Sequence, residues 1–208
     1  QHVPAVKAQV SPDQPMGLGL RFANQASIDL QDFSKISELK TWLSDQNLYV
    51  FTLNGFPYGG FHNTIVKDQV HAPDWTTTDR RDYTIRLAHI LASLLTENEG
   101  GISTSPLSYK YWWNTAEERQ QAMQSSTRHL LEVVDVLAEI EKNTGKIIHI
   151  DIEQRPVDDL LEVGLRDESL LDGRLERGPR RGELRQKLHH SPVEQYQSAI
   201  GSVNNLER

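Results

Sequence analysis

Residues 48–62 have the sequence Leu48-Tyr49-Val50-Phe51-Thr52-Leu53-Asn54-Gly55-Phe56-Pro57-Tyr58-Gly59-Gly60-Phe61-His62. The first six residues are apolar, aromatic or β-branched, as in a buried strand, and the Asn, Gly and Pro residues after them are typical of a loop with unusual backbone angles. In parallel α/β proteins, polar residues at such strand ends often bind ligands. Asn54 and His62 are therefore candidate site residues. The alternative is that Asn54 caps a turn and that His62 is an ordinary loop histidine.

Three further runs share this pattern of a short apolar stretch that ends in polar residues. They span residues 17–23, 101–106 and 147–153. Between the runs, apolar residues recur at helical spacing, which predicts amphipathic helices. These helices span residues 34–46, 79–96 and 117–143. Ser34 is the predicted cap of the first helix, and Gly145 is the predicted stop of the third.

Alternating strands and helices with right-handed crossovers build a parallel sheet. The long intervals between the predicted strands leave room for extended loops at their carboxyl ends, which favours a (β/α) barrel. A compact flavodoxin-like domain is the alternative, because periodicity alone does not separate the two folds. The predicted fold class is therefore α/β, as a partial (β/α)8 TIM barrel followed by a tail that does not belong to the barrel.

The length of the chain bears on this prediction. A barrel of eight units needs about 250 residues, whereas this chain has 208 and its fourth predicted strand already ends at Glu153. The chain begins with Gln1, and residues 2–10 have a helical pattern. We therefore expect an incomplete barrel whose first strand is missing, with a processed amino terminus as the alternative.

The composition changes after residue 153. Residues 164–190 are rich in Arg interleaved with Asp and Glu, and they include no β-branched residue. A buried parallel sheet needs such residues. We therefore predict a barrel part over residues 1–162 and a charged, poorly ordered tail over residues 163–208. The interleaved acidic residues and the formal net charge of −7 argue against nucleic-acid binding.

Composition sets further bounds on function. A hydrophobic content of 37% and a charged content of 25% suit one globular domain, and no apolar run has the length of a membrane span. The absence of cysteine excludes disulfides, thiolate nucleophiles and cysteine-bound zinc. There is no P-loop and no GxGxxG motif. Because the visible start has no signal-like segment, we expect a cytoplasmic protein.

The last predicted strand carries alternating polar residues. His149, Asp151 and Glu153 are two residues apart, so their side chains are on one side of the sheet. Carboxylates at such a strand end can hold a divalent cation, which can polarise an oxygen of a sugar. The alternative is that they are polar residues at a fraying strand end. His62 and Lys110 are the other candidate groups at this edge, and we predict catalytic roles for both.

Several motifs resemble the EboE family. They are residues 49–62, Val66-Lys67-Asp68-Gln69-Val70-His71-Ala72-Pro73-Asp74-Trp75, residues 2–7, Leu18-Gly19-Leu20-Arg21 and residues 103–110. The resemblance covers about residues 2–153. EboE proteins are metabolite-traffic proteins of the xylose isomerase-like TIM barrel superfamily, which includes sugar-phosphate isomerases and epimerases.

This resemblance implies ligands and partners. Ile148-His149-Ile150-Asp151-Ile152-Glu153 resembles the strand whose terminal glutamate is a metal ligand in the superfamily. Glu153 is therefore the expected ligand of Mn²⁺, Mg²⁺ or Zn²⁺ in an intact homologue, and we expect Asn54 to contact substrate. The expected ligand is a small sugar-like or secondary metabolite, and the expected protein partners are other ebo-cluster proteins.

The resemblance is lost after Glu153. The family continues with Pro-Glu-Pro and a Leu-Leu-Glu helix start, whereas this chain has Gln154-Arg155-Pro156 and then Leu160-Leu161-Glu162. The later strands that supply the remaining ligands have no counterpart in residues 164–208. A frameshifted or truncated reading frame would explain this, and genuine divergence is the alternative.

Two functional hypotheses follow from these motifs. The first is a metal-dependent isomerase or epimerase of a sugar-like metabolite, whose active site this chain alone would not complete. The second is a non-catalytic protein that binds a metabolite or assists its export.

Overall fold

The computed structural model describes residues 2–59 and 70–153. Five α-helices and four β-strands lie in these residues. In chain order they are α1 (Val3–Val10), β1 (Met16–Leu20), α2 (Asn24–Asp29), α3 (Phe33–Asp45), β2 (Leu48–Asn54), α4 (Thr78–Leu94), β3 (Glu99–Thr104), α5 (Ala116–Thr144) and β4 (Ile147–Ile152). A short 3₁₀ helix, Lys110–Trp112, precedes α5.

The predicted elements are present, close to their expected bounds. All four predicted strands form, and the three amphipathic helices correspond to α3, α4 and α5. Gly145 ends α5 with a φ of 72°, the left-handed conformation that favours glycine at a helix end. A capping box fixes the start of α5, because the side chains of Thr115 and Glu118 each accept a hydrogen bond from the other residue's backbone N–H.

The cap of α3 differs from the prediction. Asp32, rather than Ser34, is the N-cap residue, and its carboxylate accepts hydrogen bonds from the backbone N and the hydroxyl of Ser34 at 2.8 and 2.7 Å. A carboxylate at this position satisfies an early N–H of the helix and interacts favourably with the helix dipole. The hydrogen bonds from Ser34 lower the pKa of Asp32.

The four strands form one parallel sheet in the order β1-β2-β3-β4. Each strand lies beside the next strand in the chain, and the order does not reverse as it does in a flavodoxin-like sheet. The flavodoxin-like alternative is therefore wrong for these strands. Within the described residues the sheet is open, since β1 and β4 do not pair with each other.

The hydrophobic core lies between the sheet and the helices. Leu53 of β2 and Ile102 of β3 are fully buried in one cluster with Leu87 and Leu91 of α4. Burial of an aliphatic side chain of this size contributes about 1.5–3 kcal/mol. The central helix, α4, contacts α2, α3 and α5. The opposite face of the sheet is partly exposed, and Phe51 on it is 42% exposed.

The chain divides into two units, Gln1–Val163 and Gly164–Arg208. The predicted tail over residues 163–208, and its predicted poor order, lie outside the described residues and remain predictions. In the part of the chain that the structure describes, none of the helices is long and apolar enough to cross a membrane.

Candidate functional site

Two rows of small and polar residues cross the sheet on the face opposite the core. The lower row comprises Gly19, Thr52, Gly101 and His149, which the strand register places side by side. The upper row, two residues closer to the carboxyl ends of the strands, comprises Asn54, Ser103 and Asp151. Because parallel strands end at the same edge, the upper row lies where α/β proteins bind ligands, and the lower row lies in the middle of the strands.

Contacts at Gly101 fix the direction of these side chains. A Cβ atom on Gly101 would overlap Nε2 of His149 and would lie 3.1 Å from Oδ2 of Asp151. The intervening residues Ile102 and Ile148 belong to the buried core. Since successive side chains in a strand point to opposite faces, the two rows belong to the face that is not packed in this core.

An aromatic surface adjoins the polar rows. The register between β1 and β2 shifts at Phe51, and the rings of Tyr49 and Phe51, with centroids 6.3 Å apart, both lie over Gly17. Thr52 follows on this face, and its hydroxyl donates to the carbonyl of Gly101 at 2.9 Å. The exposed face of the sheet is thus aromatic towards β1 and polar towards β4.

His149 and Asp151 form a polar pair on this face. Nε2 of His149 lies 3.4 Å from Oδ2 of Asp151, and Nδ1 lies 4.0 Å from Oε1 of Glu99. The hydrogen bond with Asp151 raises the pKa of His149 above 6.5, with help from the charges of Asp151 and Glu99 and against the effect of burial. The two side chains of the pair are 31% and 33% exposed, so a ligand in solution could reach both.

Glu153 lies just beyond β4 and is exposed, and its backbone N–H donates to the carbonyl of Thr104 at 3.0 Å. Its expected role is that of a metal ligand. A hard cation such as Mg²⁺ or Mn²⁺ takes about six oxygen ligands. Residues 2–59 and 70–153 contain no group of three or more His, Asp or Glu side chains that could hold a metal ion. The described residues therefore do not fit a tightly bound metal.

Asn54 ends β2 at the same edge of the sheet. Its side-chain oxygen accepts a hydrogen bond from the backbone N of Phe56 at 3.0 Å. This is the turn-capping role that the sequence left open as an alternative. Asn54 and the end of β4 are two strand spacings apart, about 10 Å. Asn54 and Glu153 thus share the carboxyl edge, and the substrate-binding role of Asn54 stays a prediction.

Gly55, directly after β2, does not have a positive φ. The predicted unusual backbone angles concern the loop 54–62, whose residues 60–62 lie outside the described part of the chain, and in residues 54–59 no positive φ occurs. A Cβ atom on Gly55 would lie 2.9 Å from Cδ1 of Leu87 and 3.0 Å from the carbonyl oxygen of Ser103. Gly55 therefore permits a close approach of the chain to α4 and β3.

The two predicted catalytic residues remain predictions. His62 lies within residues 60–69, outside the described part of the chain. Lys110 begins the 3₁₀ helix after β3, and its side chain is also outside the described part.

Arg80, on the first turn of α4, holds the loop that follows β2. Its side chain is fully buried, and its guanidinium donates to the carbonyls of Gly55 at 2.7 Å, Phe56 at 3.1 Å and Pro73 at 2.8 Å. A planar guanidinium with five N–H donors suits this task, because it can bond several carbonyls at once. Arg80 thereby joins the two ends of the loop.

Two tyrosines flank this guanidinium. The rings of Tyr58 and Tyr83 have their centroids 5.8 and 5.7 Å from the Arg80 carbon Cζ, which stabilises the buried charge. Burial lowers the pKa of Arg80 to about 10, so the group stays protonated at neutral pH. Burial also raises the pKa of Tyr83 to about 12, and its hydroxyl donates to the carbonyl of Phe22 beyond β1.

A buried network connects the loops that follow β2 and β3. The carboxylate of Asp74 accepts hydrogen bonds from the hydroxyl of Ser108 and from the backbone N of Thr76. Ser108 in turn accepts a hydrogen bond from Nε1 of Trp113 at 2.8 Å. The network bonds its own polar groups to one another, so we assign it the structural role of fixing the loops.

Sequence reasoning missed three of these residues. Thr52 is a polar residue inside an otherwise apolar strand, and this pattern could have marked it as facing away from the core. Ser103 gave no such signal, because the equally polar Thr104 beside it is buried. Arg80 gave no such signal, because an arginine in a helix is usually solvated.

Comparisons of the chain with protein-family models, with curated proteins and with solved structures found no match in any of the three. The resemblance to the EboE family therefore stays an expectation based on motifs. The fold and the site define a coarser class, namely an α/β protein with a parallel sheet that carries a polar row at the carboxyl ends of its strands.

Proposed function

We propose that this protein is a metabolite-binding member of the xylose isomerase-like β/α barrels, similar to the EboE family. Its ligand is a small, sugar-like molecule that binds at the carboxyl ends of the strands. The order of the sheet supports this proposal, since four consecutive parallel strands without a reversal are the arrangement found within a β/α barrel. Ligand sites in such barrels lie at the carboxyl ends.

The upper row supplies the polar groups of this site. Asn54 contributes an amide, Ser103 a hydroxyl and Asp151 a carboxylate, and the exposed Glu153 stands beside them. Groups of these types both donate to and accept from the hydroxyl groups of a sugar.

A metal-dependent isomerase or epimerase is the second candidate function. The position of Glu153 at the end of β4 favours it, because a strand end is where barrel enzymes carry catalytic groups. The described residues include no group of three or more side chains that could hold a metal ion. Metabolite binding is therefore the first candidate function and metal-dependent catalysis the second.

Saturation-transfer NMR with D-xylose and myo-inositol tests the proposal. We expect transfer to both compounds in the native chain and its loss in Ser103→Leu, whose larger side chain would occupy the upper row. Thr41→Leu, on the exposed side of α3, is the matched control and should keep the signal. An absence of transfer in the native chain, or transfer unchanged by Ser103→Leu in a folded variant, would overturn the proposal.

A further inference from the structure

We infer that the ligand site extends below the strand ends onto the lower row, and that His149 and Asp151 bind neighbouring hydroxyl groups of an uncharged polyhydroxy compound. This inference rests on the proposed function and names the chemistry of its ligand.

The lower row contains no bulky, branched side chains. The interior of a β/α barrel is normally filled by layers of bulky, branched side chains. Here the corresponding row is Gly19, Thr52, Gly101 and His149, of which two members have no side chain. Such a row does not fill the space above the sheet by apolar packing. The imidazole of His149 covers Gly101, so the row presents polar rather than apolar side chains to a ligand.

His149 and Asp151 are placed so that they can bind two neighbouring hydroxyl groups. The imidazole and the carboxylate lie side by side, with Nε2 and Oδ2 separated by 3.4 Å. Gly101 beneath them is essential to this arrangement, because a Cβ atom there would overlap Nε2. An adjacent imidazole and carboxylate match two neighbouring hydroxyls, since each hydroxyl can both donate and accept a hydrogen bond.

Acidic side chains outnumber basic ones around the His149 and Asp151 pair. The carboxylates of Asp151, Glu99 and Glu153 lie on or beside this part of the sheet, and His149 is the basic side chain among the two rows. Negative charge at the site repels a phosphate or carboxylate ligand. The charge of the side chains in the two rows therefore favours a neutral polyhydroxy compound over its phosphate ester.

NMR titrations test the inference. The histidines of the chain are labelled with ¹³C, and myo-inositol, D-xylose or D-ribose 5-phosphate is added. We expect a saturable shift of the His149 ring signal with the neutral compounds and a much smaller one with the phosphate. His149→Leu should weaken binding of the neutral compounds at least tenfold. His89→Leu, on the exposed side of α4, is the matched control and should bind like the native chain. His149→Gln provides a second variant if His149→Leu does not fold.

The outcomes separate the inference from the proposed function. Neutral compounds that bind without moving the His149 signal, and with equal affinity in the His149 variants, would overturn the inference while the proposed function stands. Preferential binding of D-ribose 5-phosphate would overturn the assignment of a neutral ligand. Failure of all three compounds to bind would overturn the inference and the proposed function together.

Discussion

At the scale of single residues, Arg80 shows how a buried side chain fixes a loop at the edge of the sheet. We expect Arg80→Met to lower the free energy of unfolding by about 3 kcal/mol, because hydrogen bonds from charged groups contribute about 1.5–3 kcal/mol each. Urea unfolding measures this loss. Arg128→Met, on the exposed side of α5, is the matched control and should change stability by less than about 0.5 kcal/mol. A loss below about 1 kcal/mol for Arg80→Met would contradict the role given to Arg80.

The His149 and Asp151 pair predicts a pH dependence. We expect Asp151→Asn to lower the pKa of His149, because it removes the hydrogen bond and the charge that raise it. NMR titration of the ring signals measures this change. A raised pKa in the folded state means that protonated His149 stabilises the fold. This contribution is complete below the unfolded-state pKa of about 6.5 and is lost as the pH rises through the folded-state pKa.

The difference in unfolding free energy between the native chain and Asp151→Asn should therefore be larger at about pH 5.5 than at about pH 8. Urea unfolding at the two pH values measures it. A difference that does not change with pH, together with an unaltered His149 pKa, would show that the pair is not coupled.

The sequence predicted some residues of this site and not others. Glu153 and Asn54 could be placed at a strand end, because the end of an apolar run is visible in the sequence. Whether Asn54 bonds a ligand or its own backbone depends on a local turn that the pattern does not fix. Arg80 was missed because its burial depends on carbonyls from a loop that lies elsewhere in the chain.

At the scale of elements, α5 is defined by its two ends. Its capping box predicts that Thr115→Ala lowers the free energy of unfolding by about 1 kcal/mol, because the N–H of Glu118 loses its side-chain acceptor. Urea unfolding followed by circular dichroism measures this loss. Thr115→Ser keeps the hydroxyl and is the matched control. Equal stability of the Ala and Ser variants would contradict the role of the cap.

The long helices were predictable from their periodicity, and the short helix α2 was not. The apolar spacing in α4 and α5 extends over several turns and is therefore distinct. The helix α2 has six residues, too few for a clear period. The cap of α3 was assigned to Ser34 because Ser and Asp are both good caps, and spacing alone does not decide between neighbours.

At the scale of the whole molecule, the described residues predict weak metal binding. We expect calorimetry to give a dissociation constant of about 1 mM or weaker for Mn²⁺ and Mg²⁺, because Glu153 leaves most of the coordination shell to water. Micromolar binding that Glu153→Ala abolishes would contradict this prediction. Glu139→Ala, an exposed change on α5, is the matched control and should leave metal binding unchanged.

The parallel sheet was predictable from the alternation of strands and helices. The strand order was not, since the pattern left a flavodoxin-like order open. The exposed rows were not predictable as rows. They depend on the register between strands, which includes a shift at Phe51 that leaves no mark in the sequence pattern.

The central claim is that a sugar-like ligand binds at the carboxyl ends of β2, β3 and β4. Mapping the backbone amide shifts that D-xylose causes in the ¹⁵N-labelled chain tests it most directly. We expect the largest shifts at Gly55, Ser103 and Glu153, which lie at the carboxyl edge. Shifts confined to the amino ends of the strands, at Leu48 and Ile147, or to the helix layer, would contradict a ligand site at the carboxyl ends.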